Sequence, residues 1–196
     1  MTVSPILDAA SSGARTGGPS FTLRLRLARV AFLVVWAVLA GWTPPMLRGW
    51  RRLILRAFGA RMGRGATVYG STRVWYPAHL VMGEFATLGP RVNCYNQAPV
   101  ALGNFAVVSQ DATLCAGTHD YDDPEFQLRT RPIHLGAHCW VAAEAFVGPG
   151  VRVGERAVLG ARGVAMRDLE PGLVYAGNRA VPVGRRAASG PKERAA

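Results

Sequence analysis

From Met62 onward an aliphatic or small apolar residue returns at every sixth position, usually with a small residue four places later. The hexads begin at Met62, Val68 and Val74. After two extra residues they resume at Met82, Leu88 and Cys94, and after two more at Leu102, Val108 and Leu114. A break follows, and the rhythm returns at Leu135, Val141, Val147, Val153 and Leu159. Few folds satisfy such a period. A short strand that turns a corner after six residues points the same position inward each time, and three such segments close a triangular coil that stacks on the next. Small fifth positions (Ala66, Ala86, Ala106) and glycine at many second positions suit crowded corners, where a large side chain or a positive φ is costly. The density of glycine and β-branched residues disfavours helix. The long pause begins at Thr118-His119-Asp120, so a loop excursion at residues 120–134 departs beside a histidine that ends a coil.

Outside the repeat the chain has a different character. Residues 1–20 are rich in Ser, Gly and Thr and are expected to be disordered. Residues 21–61 form an apolar and basic segment with helical patterning, residues 62–184 the repeat domain, and residues 185–196 a basic flexible tail. The uncharged run from Val30 to Leu47 is short of the ~20 residues that a membrane span needs. Pro44 and Pro45 interrupt it, and Arg48, Arg51, Arg52 and Arg56 follow. Basic residues on both sides favour a surface helix or helical hairpin that touches a membrane peripherally through residues 21–57. Packing of this segment on the main domain or on a neighbouring subunit is the alternative. The net charge of +11 is almost wholly arginine, since Lys192 is the only lysine. Such a charge admits anionic lipid or phosphorylated small molecules, whereas no basic stretch interleaved with aromatics marks a nucleic-acid site. Cys94, Cys115 and Cys139 are odd in number and lack a CxxC spacing, which reads as reduced thiols of a cytoplasmic protein.

The repeat resembles the hexapeptide-repeat acyltransferases, which implies an all-β fold: a left-handed parallel β-helix preceded by a helical segment. The handedness comes from the resemblance and departs from the usual right-handed crossover. Several segments are similar to the colanic-acid-type exopolysaccharide O-acetyltransferases. They are Leu114-Cys-Ala-Gly-Thr-His-Asp-Tyr121, Asp123-Pro-Glu-Phe126, Trp140-Val-Ala-Ala-Glu-Ala-Phe-Val-Gly-Pro-Gly-Val151 and Ala176-Gly-Asn178. The similarity runs over roughly residues 45–186 and implies acetyl transfer from acetyl-CoA to a sugar hydroxyl in exopolysaccharide or lipopolysaccharide biosynthesis. It also implies a homotrimer with sites between subunits, and a place in the cytoplasm, at the inner face of the membrane if the apolar segment docks there. A cleaved signal peptide fits poorly with a cytoplasmic co-substrate.

Acetyl transfer to a hydroxyl needs one general base within hydrogen-bond reach, and histidine, with an unperturbed pKa of ~6.5, suits that task. The resemblance places His119 in this role. Asp122, Glu125 and Glu144 are the carboxylates available to orient it, and Glu144 is also available to face the acceptor. Asn93, Tyr95 and Asn96 are candidates for the sugar hydroxyls, because amide and phenol groups give directional bonds without charge. The resemblance carries the coenzyme contacts onto Ala143, Ala161, Met166 and Arg167. Arg179, Arg185 and Arg186 are further cations for the phosphorylated nucleotide. No metal is expected.

Two rivals share the coil. A zinc hydratase of the γ-carbonic-anhydrase type would need three converging histidines, and His79, His119, His134 and His138 lack its spacing. A trimeric scaffold without chemistry would need neither His119 nor the downstream cations.

Overall fold

Each hexad folds as a strand of two or three residues and a corner, and each strand pairs in parallel with its counterpart one coil away. The computed structural model describes residues 6–178. Three sheets make the three faces of a left-handed parallel β-helix. The first face holds Arg61–Met62, Leu80–Met82, Val100–Leu102, Ile133–Leu135 and Arg152–Val153. The second holds Thr67–Val68, Thr87–Leu88, Val107–Val108, Trp140–Val141, Val158–Leu159 and Val174–Tyr175. The third holds Arg73–Val74, Asn93–Tyr95, Thr113–Cys115, Phe146–Val147 and Val164–Ala165.

The register explains the six-residue rhythm. Met62, Met82, Leu102, Leu135 and Val153 lie over one another on the first face. Val68, Leu88, Val108, Val141 and Leu159 do so on the second, and Val74, Cys94, Leu114, Val147 and Ala165 on the third. All are buried and fill the prism, with Ala66, Ala86, Ala106 and Ala112 closing its corners. Burial pushes the Cys94 and Cys139 thiols up to about 12, so both are inert core residues.

The glycines and the positive φ values fall at different places in the hexad. Second-position glycine answers close approach between coils: a Cβ on Gly103 would stand 2.7 Å from the Ala137 nitrogen. Positive φ sits at the fourth position, mostly on residues with side chains. Phe85, Phe105, His138 and Arg156 adopt it between the first and second faces, and Arg91, Asp111, Glu144 and Arg162 between the second and third. The left-handed conformation costs roughly 1–2 kcal/mol per residue, and the side chains that adopt it line up in ladders along the coils. Phe85 stacks on Phe105 at 5.2 Å and Phe105 on His138 at 5.0 Å. On the neighbouring corner Arg91 grips Asp111 at 2.8 and 2.6 Å, and Arg162 grips Glu144 at 2.8 and 3.3 Å.

Ahead of the coil come three helices: α1 (Ala9–Ser12), α2 (Leu23–Leu39) and α3 (Arg48–Ala57). Residues 6–20, where the composition favours disorder, are held by particular contacts instead. Asp8 caps α1 through the Ser11 N–H, Ile6 bridges to Phe21, and the Ala9 N–H donates to Gln127 Oε1 at 2.6 Å. Low hydrophobicity here is outweighed by docking onto a hairpin more than a hundred residues away in sequence. Helix α2 carries Arg24, Arg26 and Arg29 in its first two turns and is apolar on all sides from Val30 onward. Leu25, Phe32 and Trp36 form the stripe that faces the coil, and the Trp36 Nε1–H donates to the Gly70 carbonyl at 3.1 Å. Arg51 of α3 is fully buried without a carboxylate. Its guanidinium donates to the carbonyls of Val68, Thr43, Pro44 and Pro45 and to Thr43 Oγ1 at 2.7–3.1 Å, pinning the α2–α3 turn to the second face. Among the described residues no helix is long and apolar enough to cross a membrane.

Candidate active site

The corner between the third and first faces is where the repeat changes length. The two extra residues of the upper coils fall here, the first set beside the 3₁₀ turn Pro77–His79. The long excursion also leaves here. It is a β-hairpin: Gly117–His119 pairs antiparallel with Leu128–Thr130, placing His119 opposite Leu128. Asp120 ties the turn together, since its N–H donates to the Gln127 carbonyl at 2.8 Å and its carboxylate meets Arg129 at 3.1 Å.

The geometry around His119 fixes its tautomer. Nδ1 lies 2.8 Å from the Phe126 carbonyl oxygen, and the imidazole stacks on the Phe126 ring with centroids 4.4 Å apart and planes 10° apart. A carbonyl oxygen only accepts, so Nδ1 carries a proton, and in the neutral imidazole Nε2 holds the lone pair. Phe126 is itself at φ +56°, which aims its carbonyl and ring at the same histidine. Two of the hairpin carboxylates serve the turn: Asp123 Oδ1 accepts from the Glu125 N–H at 2.9 Å, and Asp120 Oδ1 from the Asp122 N–H at 3.3 Å.

His119 borders two cavities. One, of about 370 Å³, is lined by Ala14, Arg15, Ser20, Asp123, Glu125 and Phe126. The other, of about 350 Å³, includes Ser20, Arg26, Arg29, Trp75, Tyr95 and Gln97 in its lining. Residues 14–21 thus wall both sides of the histidine, and Arg15 Nη1 donates to the Pro124 carbonyl to hold that strap on the hairpin.

The candidate acceptor residues separate. Tyr95 lines the cavity beside His119, with burial pushing its phenol upward. Asn93 faces the groove beneath α2, among Arg73, Phe32 and Trp36. Asn96 is wholly buried and spent on the backbone: Oδ1 accepts from the Trp75 and Tyr76 N–H groups at 3.0 Å, and Nδ2 donates to the Tyr76 carbonyl at 2.8 Å. The residue beside it, Gln97, is the one that reaches the cavity. Its position in the lengthened corner between Tyr95 and Val100 was the one available sequence signal. Nothing in the sequence announces Arg26, Arg29 or the strap, because their place depends on how α2 lies on the coil.

The coenzyme candidates flank the third face. Ala143 and Ala161 sit one coil apart on the corner between the second and third faces, next to the Glu144–Arg162 pair. Met166 and Arg167 lie at the opposite edge, where the Met166 sulfur covers Gly148. Within one chain, then, Glu144 and His119 stand on different corners. Arg179, Arg185 and Arg186 lie outside the described residues. The remaining histidines are dispersed. His79 Nδ1 donates to the Asn96 carbonyl (3.2 Å), His134 points outward from the first face, and His138 belongs to the aromatic ladder. No group of three or more metal-ligating side chains comes together among the described residues.

No protein-family model matches the chain. WcaF of Escherichia coli (strain K12), named for acetyl transfer in colanic acid biosynthesis, is 38% identical over 154 residues, 77% of this chain and 85% of that protein. This chain belongs to the hexapeptide-repeat acetyltransferases. The acetyltransferase also shares its fold with solved structures at lower identity. A galactoside acetyltransferase in complex with coenzyme A superposes with a TM-score of 0.73 at 19% identity, over 87% of each chain. A maltose O-acetyltransferase from Clostridium difficile 630 does so with a TM-score of 0.71 at 19% identity, over 80% of this chain and 84% of that one.

Proposed function

We propose that this acetyltransferase moves the acetyl group of acetyl-CoA to a sugar hydroxyl during exopolysaccharide or lipopolysaccharide assembly, with His119 as general base. The observation that carries the reading is the Nδ1–H bond to the Phe126 carbonyl, which leaves Nε2 ready to accept a proton. His119 takes the hydroxyl proton as the oxygen attacks the thioester carbon. The C–S bond then breaks, and the imidazolium returns the proton to the departing thiolate. WcaF's name and the coenzyme complex of the galactoside enzyme support the substrate pair.

Ala143, Ala161 and Glu144 fall on another corner of the prism from His119, which fits a homotrimer in which one subunit's second-to-third corner faces its neighbour's hairpin. Val107, Trp140, Val158 and Val174 form an outward apolar column on the second face, in register down the coils, and offer a packing surface for such a trimer. Light scattering on the purified protein should give three times the chain mass.

The protein acts in the cytoplasm at the inner face of the membrane. Between Asp8 and Glu84 the sequence holds eleven arginines and no acidic residue. Leu27, Val30, Val34 and Val38 of α2 are exposed, as are Trp42 and Met46 beyond it, at 73% and 78%. An apolar surface set among cations fits anionic lipid. Flotation with phosphatidylglycerol vesicles, but not with phosphatidylcholine vesicles, is the expected result.

Coenzyme A release with sugar acceptors tests the chemistry. His119→Ala should lower the rate by about 10²–10⁴-fold while acetyl-CoA still binds. Equal rates in the two proteins would overturn the role of His119.

A further inference from the structure

The two cavities that meet at His119 differ in charge. Asp123 and Glu125 line the first, together with Arg15. The second has Arg26 and Arg29 among its lining residues and no carboxylate. Arg29 is held in place: its Nε donates to the Trp75 carbonyl at 3.2 Å, and its guanidinium carbon lies 4.1 Å over the Trp75 ring. Burial lowers its affinity for its proton, although a guanidinium stays charged. A partly desolvated cation beside an exposed one attracts an anion more strongly than either would in water.

A second observation points to a ligand with hydroxyls. Gln97, only 5% exposed, lines the same cavity. Its Nε2 donates to Tyr95 Oη at 2.8 Å, which leaves the tyrosine O–H to donate elsewhere. Its Oε1 is buried and accepts no hydrogen bond from the protein. An amide oxygen left so is costly, by about 1–3 kcal/mol, so a turn of the side chain away from Gly117 that offers it to a ligand hydroxyl is favourable. The volume, about 350 Å³, suits a small polar molecule.

We propose that this cavity receives an anionic sugar, with Arg26 and Arg29 facing its phosphate or carboxylate and with Gln97 and Tyr95 reading its hydroxyls beside His119 Nε2. The inference rests on the acetyl-transfer reading above and names the acceptor class within it. Both arginines come from α2, so the helix that carries the apolar surface also supplies the charge.

Titration calorimetry on the full-length protein tests this. Coenzyme A is present throughout, since it lacks the acetyl group and cannot turn over. The probes are methyl β-D-glucoside, D-glucose 1-phosphate, D-glucuronic acid and inorganic phosphate. At least one anionic sugar should bind ten-fold or more tightly than the neutral glucoside, and the one that does identifies the anion. Arg26→Gln, at an exposed position that leaves the Trp75 contact intact, should remove most of that preference. Gln97→Ala should weaken the sugars and spare inorganic phosphate. Equal binding of charged and neutral sugars, no binding of either anionic sugar, or a preference that survives Arg26→Gln overturns the proposal. Inorganic phosphate binding as tightly as glucose 1-phosphate overturns the sugar-reading role of Gln97 and Tyr95. Tight anionic binding without coenzyme A release from acetyl-CoA would defeat the acetyl-transfer reading alone. Release with neutral acceptors and no anion preference would defeat this inference alone.

Discussion

The corner between the second and third faces and the corner between the third and first are cut from the same hexad, yet they are built on opposite logic. The former repeats. Arg91, Asp111, Glu144 and Arg162 occupy one position in successive coils, share one left-handed conformation, and pair with the coil above or below. The latter does not repeat. It takes the extra residues, the 3₁₀ turn and the hairpin, and its contacts are single: one carbonyl for His119, one glutamine for Ala9, one arginine for Pro124. Repetition makes a corner stable because each side chain has a like neighbour. Departure from repetition makes a corner specific, because each contact exists once.

Changes in the coil should therefore cost stability, and changes at the aperiodic corner should cost function. The largest stability effect is expected at Arg51, which anchors α3 to the coil with bonds to four carbonyls. Arg51→Leu strands those acceptors and should destabilise by roughly 3–5 kcal/mol, read by chemical denaturation. A change under ~1 kcal/mol would show that the turn relaxes onto other donors. Leu114→Ala, in the fully buried stack of the third face, should lose roughly 2–5 kcal/mol and lower the unfolding midpoint.

At the other corner, Phe126→Gly keeps the carbonyl that accepts from His119 and accommodates φ +56°, while removing the ring stacked on the imidazole. Thermal stability should hardly move, while kcat falls by about ten-fold as the histidine loses one of its two constraints. A fall in stability without a fall in kcat would reverse the contrast between the corners. Gln127→Ala removes the acceptor for Ala9 and the donor to Leu7. Hydrogen exchange should then quicken over residues 6–21, with the coil unaffected.

His79 provides a smaller, pH-dependent test. Burial holds its pKa below the usual histidine value, so the folded state binds its proton less readily than the unfolded chain. Its contribution to stability is present above pH ~6.5 and is lost as pH falls through the lower folded value. His79→Gln should flatten the dependence of the denaturation midpoint between pH 7.5 and 5. The smallest effect belongs to Arg91→Gln. It breaks an exposed corner pair, and the melting temperature should not change measurably.

The hexad made the prism, its inward stacks and the place of the excursion legible, because a side chain that must meet its equivalent one coil away leaves a period in the sequence. The crowding of second-position glycines was legible too. The left-handed fourth positions were not, since phenylalanine, arginine and glutamate hold them through ladders that exist only after stacking. His119 was legible as the residue beside the break. What fixes it was not, because its partner is a backbone carbonyl and any residue at position 126 brings one.

The sequence by itself determined the coil, the length of each face and where the chain leaves it, since periodic burial is a local code repeated many times. The tertiary structure alone decided that residues 14–21 wall the histidine, that Gln97 rather than Asn96 reaches the cavity, and that Arg26 and Arg29 line it. Each of those contacts joins segments far apart in the chain and occurs once, so no pattern along the chain could record it.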